Sequence, residues 1–322
     1  MKKIKWGILG LGKIAKKFAT GLKDVEDAEL YAVASRSKSK AETFAREHNA
    51  TNFFTSYEAM LKDEELDVVY IATPHVFHHQ QTLLCLDHKK AVLCEKPFAI
   101  NKKQVEEMIA KARKEKVFLM EAMWTQFLPH FKFVIDLIES EKYGKIKSLK
   151  ADFGFPAPVD LDKRLYNKNL GGGSLLDIGI YPVFMAMSAL GTPESIQANA
   201  KFSETGIDKE CDMVFKYKNA VEAQLGSSIL KHTPTAAIIQ FEKATITLNP
   251  SFHKPTNVTI KTTDGEETKE FVVNSNGYNF EAEHVQKMLL EGKTESTEMT
   301  FAKSLDLIEL LDKIRDQIGL EY

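Results

Sequence analysis

The stretch Trp6-Gly7-Ile8-Leu9-Gly10-Leu11-Gly12-Lys13-Ile14-Ala15 decides how the rest of the chain is read. It follows the opening residues with an apolar run and closely spaced glycines, which fits a phosphate cradle, the start of a targeting peptide or a plain glycine-rich turn. Gly10-x-Gly12-x-x-Ala15 matches the G-x-G-x-x-G/A fingerprint of a dinucleotide site. The first glycine permits a tight turn, the second lets backbone approach a pyrophosphate, and the third position needs a small residue for helix–sheet packing. Gly10, Gly12, Lys13, Ile14 and Ala15 are therefore the first cofactor candidates. A targeting peptide is not expected, because Lys13 ends the apolar run and no small-residue cleavage site follows.

The fingerprint alone is weak; its surroundings strengthen it. Through the first 120 or so residues, short apolar runs alternate with segments of helical spacing. Strands are expected at Ile4 to Leu9, Glu29 to Ala34, Val68 to Ala72, Ala91 to Cys94 and Val117 to Met120. Helices are expected at Ile14 to Leu22, Lys38 to His48, Tyr57 to Leu61, Phe77 to Asp87 and Lys102 to Lys114. Such alternation implies right-handed crossovers and a parallel, doubly wound α/β sheet. After Met123 the pattern changes. A helix at Pro129 to Glu141, the stretch "KIKSLKADF", an apolar segment near Leu175 to Leu190, then strands with hairpin signals from Ser195 to Val273 predict an α+β unit on a mostly antiparallel sheet. Helices return at Phe280 to Leu290 and Ala302 to Ile318. The expected division is residues 1–122 for nucleotide and 123–322 for substrate and dimerisation, with the C-terminal helix free to pack back on the first part.

The end of the second strand selects the cofactor. An NAD site places Asp or Glu there for the ribose 2′-hydroxyl. This chain has Ala34-Ser35-Arg36-Ser37-Lys38 and no carboxylate. Arg36 offers a planar fork for a 2′-phosphate, Ser35 a hydroxyl and Lys38 a further charge. NADP is favoured, with NAD the alternative; a merely solvated basic loop is the plainer reading of the same residues.

Composition excludes other classes. The chain of 322 residues is 43% hydrophobic and 27% charged, with a net charge of −2, so nothing draws it as a whole toward nucleic acid or an anionic membrane. No apolar run is expected to approach the roughly 18 residues of a spanning helix. Three cysteines without C-x-x-C spacing fit a reducing, cytoplasmic setting. His75, His78 and His79 in "HVFHH" share a helical face but have no companion Cys or carboxylate motif, so no metal site is expected.

Three further stretches carry a resemblance: "YIATPHVFHHQQTLLCLDHKKAVLCEKPFAIN" (Tyr70 to Asn101), "EAMWTQFLPHF" (Glu121 to Phe131) and "LGGGSLLDIGIYP" (Leu170 to Pro182). The chain resembles the glucose–fructose oxidoreductase and inositol dehydrogenase family, in the branch of dimeric trans-dihydrodiol dehydrogenases and NADP-dependent D-xylose dehydrogenases. The likeness thins over the sheet region. It implies that Lys96 of Glu95-Lys96-Pro97 reaches nicotinamide and substrate, the Lys–Pro bond often being cis, and that Thr73, Pro74, His75, His78 and Glu95 line the cofactor. Asp177 and Tyr181 would face the reacting carbon. It implies a homodimer through the open face of the C-terminal sheet, for which the alternating Val, Ile and Phe between Met213 and Ile260 give a suitable pattern.

The chemistry needs those residue types. Oxidising a secondary alcohol passes hydride to the cofactor while a base takes the hydroxyl proton. Tyr, with an ordinary pKa near 10, needs a neighbouring ammonium to act near neutrality. Lys96 and Tyr181 thus make an acid/base pair, with Asp177 orienting Lys96 or the substrate. Trp124 and Phe127 are candidate walls of an apolar substrate pocket. Each has a plainer reading: an exposed lysine, an amphipathic core tyrosine, a helix-capping aspartate, core aromatics, and for Gly171 to Gly173 a simple loop. Relatives often carry Arg at Gln126 and His at Tyr181. The loop from Phe153 to Tyr166 carries no readable specificity code, and "NGYNFEAEHVQKML" (Asn276 to Leu289) is assigned structure only. The expected activity is an NADP-dependent oxidoreductase acting on the CH–OH or C=O group of a small cyclic polyol, an aldose or a trans-dihydrodiol. The rivals are an NAD-dependent glycosidase using transient sugar oxidation and a non-enzymatic nucleotide sensor.

Overall fold

The first apolar run forms strand β1 (Ile4–Leu9), paired in parallel with β2 (Ala28–Ala34) on one side and β4 (Val68–Ile71) on the other. The computed structural model describes residues 3–161 and 163–322; residues 1 and 2, and position 162 within the Phe153 to Tyr166 loop, lie outside them. With β3 (Asn52–Phe54), β5 (Ala91–Glu95) and β6 (Leu119–Ala122), these strands form a six-stranded parallel sheet in the order β3-β2-β1-β4-β5-β6. Strand order reverses between β1 and β4, and at such a switch point ligands bind beyond the carboxyl ends of the strands.

Helical spacing explains the covering helices. Helix α1 (Lys13–Leu22) buries Ala15, Phe18, Ala19 and Leu22, one face of a 3.6-residue period. Helices α2 (Lys38–His48), α3 (Tyr57–Leu61) and α4 (His78–Asp87) follow. Helix α5 (Lys102–Glu115) is capped by Asn101, whose side chain accepts from Gln104 N at 3.0 Å. It ends at Lys116 in the left-handed region (φ +55°), with Val117 N bonded to Ala112 O. That C-cap is why β6 begins at Leu119 and not at the expected Val117.

By internal packing the chain divides into 1–124 with 273–305, and 125–272 with 306–322. The segment grouped with the first unit resumes at Val273, well before the last helix. Helix α8 (Tyr278–Leu290) is tied there by Gln286, which accepts from Trp6 Nε1 at 3.1 Å and donates to Glu26 O at 2.9 Å. Asn276 Nδ2 adds a bond to Lys17 O.

The second unit is built on an eight-stranded sheet ordered β14-β13-β12-β11-β7-β10-β9-β8. Its strands are β7 (Ile146–Gly154), β8 (Ser195–Phe202), β9 (Asp208–Lys216), β10 (Glu222–Ser228), β11 (Ala237–Phe241), β12 (Thr245–Leu248), β13 (Val258–Thr262) and β14 (Gly265–Lys269). Only β7 and β10 pair in parallel. Helices α6 (Pro129–Glu139) and α7 (Ile180–Leu190) also belong to this unit, and α9 (Phe301–Ile318) closes the chain's helices. Met213, Phe215, Leu225, Ile239, Ile246, Leu248 and Ile260 are all buried. The apolar alternation expected to serve a dimer is therefore spent on this unit's own core. The alternate positions of β7, β10, β11 and β12 are Ser148, Lys150, Gln224, Gln240, Thr245 and Thr247, with Ile238 among them.

By composition, Lys168–Leu190 is long and apolar enough to cross a membrane, contrary to the expectation that no run would be, yet 78% of its most apolar 18-residue window is buried inside the protein. It is a core segment.

Candidate active site

The first unit gathers the cofactor candidates at one end of its sheet. Gly10 follows β1 at φ +91°, a conformation that a Cβ disfavours, and a Cβ there would sit 2.5 Å from Thr73 Cγ2. Gly12 is the N-cap of α1, makes no side-chain cap bond, and a Cβ on it would meet nothing within 4 Å. No acidic residue lies in the first turn of α1. An uncapped helix N-terminus with open space before it suits an anion. Lys13 is exposed, Ile14 half-buried and Ala15 fully buried against the sheet.

At the end of β2, Ser35 is buried; its hydroxyl accepts from Ser37 N and its own N–H bonds to Phe54 O at 3.1 Å. Arg36 and Lys38 are exposed, and among the described residues no carboxylate pairs with Arg36. This donor set fits the phosphorylated ribose of NADP.

Past β4, Thr73 Oγ1 donates to Gln81 Oε1 at 2.6 Å, and Pro74 caps the short turn His75–Phe77. His75 and His78 are buried, their rings 5.8 Å apart and edge-on. The structure gives His78 a different place from the expected one. Its Nδ1 lies 2.8 Å from Pro97 O and its Nε2 2.9 Å from Thr73 O, so it ties the turn after β4 to the turn after β5 and offers a cofactor no polar edge.

The Lys96–Pro97 peptide is cis. Lys96 is half-buried just past β5, and its N–H bonds to Glu95 Oε2. Glu95 also departs from expectation. Its carboxylate turns inward, accepting from the hydroxyl of the wholly buried Tyr70. Two further carboxyls of this unit are buried. Glu121 accepts from Phe98 N at 3.0 Å; burial pushes its pKa up to about 7, with Glu95 adding to the rise and Ser304 and Lys96 opposing it. Glu281 of α8 is wholly buried, and both its oxygens lack a hydrogen-bond partner. Burial, then Glu95, holds it well above the usual carboxylate range. Trp124 is buried face to face with Tyr278 of α8, the rings 4.2 Å apart.

In the second unit the segment Leu175–Gly179 is a single π-helical turn leading into α7. Such turns display side chains out of helical register. This one carries Asp177, whose Oδ1 accepts from Arg164 Nη2 at 2.8 Å. Tyr181 follows in the first turn of α7, buried against His253 (5.2 Å) and Phe153 (5.8 Å), which stack on each other at 4.1 Å.

A buried carboxylate holds the π turn in place. Asp208 Oδ2 accepts from Ser174 Oγ and Leu175 N, both at 2.7 Å, and burial pushes its pKa up to about 6. Gly173 stands at φ +119°, where a Cβ would run into Asp208 Oδ1. Gly172 N and Gly173 N bond back to Asn167 O and Leu165 O. The glycines therefore admit the chain's own loop and Asp208. Phe127 is buried in this unit with Lys132 Nζ over its ring at 5.7 Å. Among the described residues no three His, Cys, Asp or Glu side chains converge as metal ligands.

A family model described as an oxidoreductase family with an NAD-binding Rossmann fold matches residues 4–123, and the GFO/IDH/MocA C-terminal domain matches residues 131–247. Trans-1,2-dihydrobenzene-1,2-diol dehydrogenase of Xenopus laevis is 38% identical over 99% of both chains.

The chain belongs to the GFO/IDH/MocA oxidoreductase family.

The scyllo-inositol 2-dehydrogenase (NADP(+)) IolU of Bacillus subtilis is 35% identical over 99% of this chain and 98% of its own. Among solved structures, KijD10, a 3-ketoreductase from Actinomadura kijaniata in complex with NADP and TDP-benzene, superposes with a TM-score of 0.88 at 26% identity, covering 98% of each chain. Within this GFO/IDH/MocA chain, sequence reasoning missed Arg164, Asp208, Tyr278 and Glu281. The pattern of β9 hides Asp208 in particular. A register shift sets Lys201 opposite Glu210 and Phe202 opposite Asp208, and that bulge turns Asp208 to the inner face.

Proposed function

We propose that this chain is an NADP-dependent oxidoreductase exchanging hydride with the CH–OH or C=O group of a small cyclic polyol, an aldose or a trans-dihydrodiol. The observation that carries the cofactor choice is the pairing of an open, uncapped α1 N-terminus at Gly12 with an exposed Arg36 at the end of β2. The former suits a pyrophosphate and the latter a 2′-phosphate. The likeness to a scyllo-inositol 2-dehydrogenase (NADP(+)), to trans-1,2-dihydrobenzene-1,2-diol dehydrogenases and to a 3-ketoreductase in complex with NADP supports the substrate class.

Hydride acceptance is the chemistry NADP supplies when bound. The chain must supply proton handling and positioning. Tyr181 is proposed as the group that takes or gives the hydroxyl proton, its ring packed against Phe153 and His253. Lys96 is proposed as the ammonium that favours the deprotonated oxygen. Asp177 is proposed as the carboxylate that orients substrate, itself oriented by Arg164. His78 and Glu95 become supports of the turns that present Thr73 and Lys96.

Two finer expectations stay with the proposal. A homodimer through the C-terminal sheet would use the polar face of Ser148, Lys150, Gln240 and Thr247. A cytoplasmic setting fits the three free, buried cysteines Cys85, Cys94 and Cys211.

Tyr181→Phe tests the reading. It removes one oxygen and should cut turnover by at least ~100-fold while leaving NADPH binding nearly intact. A variant that keeps most of its kcat would place the base elsewhere.

A further inference from the structure

Thr235, just before β11, stands at φ +51°, and Ser251, in the turn between β12 and β13, at φ +71°. Thr235 is the only β-branched residue with a positive φ among the described ones. Backbone of this kind persists only where its surroundings compel it. Here a chain of hydrogen bonds does so. Asp152 Oδ1 of β7 accepts from Thr235 N at 2.7 Å. Thr235 O in turn accepts from Ser251 N at 2.7 Å and from Phe252 N at 3.2 Å. Phe252 O accepts from His130 Nε2 of α6 at 2.8 Å, and His253 O accepts from Thr125 Oγ1 at 2.9 Å. Phe252, His130 and Thr125 are all buried.

Residues 251–253 lie in neither helix nor strand, yet four hydrogen bonds fix their backbone. A connection from β12 to β13 needs no strained threonine behind it. What the bonds aim is a ring. The His253 imidazole stacks on Phe153, 4.1 Å between centroids and 26° between planes, and packs 5.2 Å from the ring of Tyr181.

We propose that His253 is a positioning residue for Tyr181, aimed by the hydrogen bonds that run from Asp152 through Thr235, so that its ring and Phe153 together fix where the Tyr181 hydroxyl stands. This rests on Tyr181 being the group that handles the substrate proton.

The argument is one of geometry. A proton passes between heavy atoms about 2.6–3.2 Å apart, and a misplacement of about 1 Å costs on the order of 100-fold in rate. The hydroxyl of a tyrosine sits at the far end of its side chain, so a small swing about χ1 moves it further than any ring carbon. Packing against the ring stops that swing only if the packing groups are themselves held. Phe153 is held by the ladder of β7, between β10 and β11. His253 has no ladder, and the bonds from Thr235, His130 and Thr125 take its place. The strain at Thr235 and Ser251 is the mark of a turn whose shape is set by what it must present.

The test reads Tyr181 without substrate. Tyrosine labelled with carbon-13 at Cζ is incorporated into the NADPH-bound protein, and the Tyr181 resonance is assigned by its loss in Tyr181→Phe. Wild type should give one narrow line. Asp152→Ala keeps every ring but removes the acceptor behind Thr235 N, and should broaden or split that line. Asp152→Asn can still accept and should restore it. His253→Ala should also broaden the line, and His253→Phe, which keeps the stack, should restore it. In reduction of NADP⁺ by scyllo-inositol, both Ala variants should lose at least ~10-fold in kcat with NADPH binding unchanged. A Tyr181 line as narrow in Asp152→Ala as in wild type, or as broad in His253→Phe as in His253→Ala, would overturn the proposal. The role of Tyr181 is tested separately by the turnover of Tyr181→Phe. If that variant kept its kcat while the line still broadened in the Ala variants, the seating of Tyr181 by His253 would stand and its assignment to proton transfer would fall.

Discussion

At the scale of single residues, Arg36 and Arg164 show two uses of one side chain. Arg36 is exposed after β2 with no carboxylate partner among the described residues, so its fork is available to an outside anion. Arg164 is partly shielded, with 35% of its side chain exposed, and is already engaged with Asp177. The first was legible in the sequence because its position is local, a fixed distance past a glycine fingerprint. The second was not, because the ion pair joins a loop without pattern to a π turn, and no spacing rule links the two. Glu281 was illegible for a related reason: a Glu within "NGYNFEAEHVQKML" reads as a solvated helix position until the fold carries α8 to β1. Arg36→Ala should weaken NADP binding by roughly 10- to 100-fold, the value of a charge-assisted fork. Calorimetry should find NAD binding little changed. Equal losses for both dinucleotides would remove Arg36 from the 2′-phosphate.

At the scale of elements, the first sheet was legible nearly residue by residue, since buried parallel strands are short apolar runs and their helices keep a 3.6-residue period. Its exceptions are β3, whose three residues form an edge too short to show any period, and β6, which the α5 C-cap delays to Leu119. The π turn was illegible because it breaks helical spacing, and its support comes from a bulged strand 33 residues away in sequence. That dependence makes Gly173 the weak point of the element. Gly173→Ala forces a Cβ into the left-handed region and against Asp208 Oδ1. It should lower stability by at least ~2 kcal/mol and displace Asp177, read as a drop in both Tm and kcat. A variant with native Tm would show that the Asp208 contact is easily relaxed.

At the scale of the whole molecule, buried carboxyls set the dependence of stability on pH. Glu121, raised to about 7, and Asp208, raised to about 6, bind protons more tightly when folded than when unfolded. Such groups carry no penalty below their unfolded pKa, and stability falls as pH rises from there toward the folded value. For Glu121 the loss is on the order of 3 kcal/mol between pH about 4.5 and 7. Glu121→Gln can still accept from Phe98 N, so it should flatten Tm across that window and raise it near pH 7. A wild-type Tm that climbs over the same range would contradict this assignment. Glu210 acts in the opposite direction, since its contacts with Lys201 and Lys231 hold its pKa down to about 2 and its contribution is lost only in stronger acid.

The proposed chemistry is hydride exchange between NADP and a ring alcohol. The most direct measurement is the initial rate of reduced-nicotinamide formation, followed by near-ultraviolet absorbance, with NADP⁺ and with NAD⁺ in parallel. The substrates are D-xylose, D-glucose, scyllo-inositol and a trans-dihydrodiol. Reduction is expected with at least one of them, with NADP⁺ well ahead of NAD⁺. A clear preference for NAD⁺, or no reduction with any pair by a protein that binds NADPH, would contradict it.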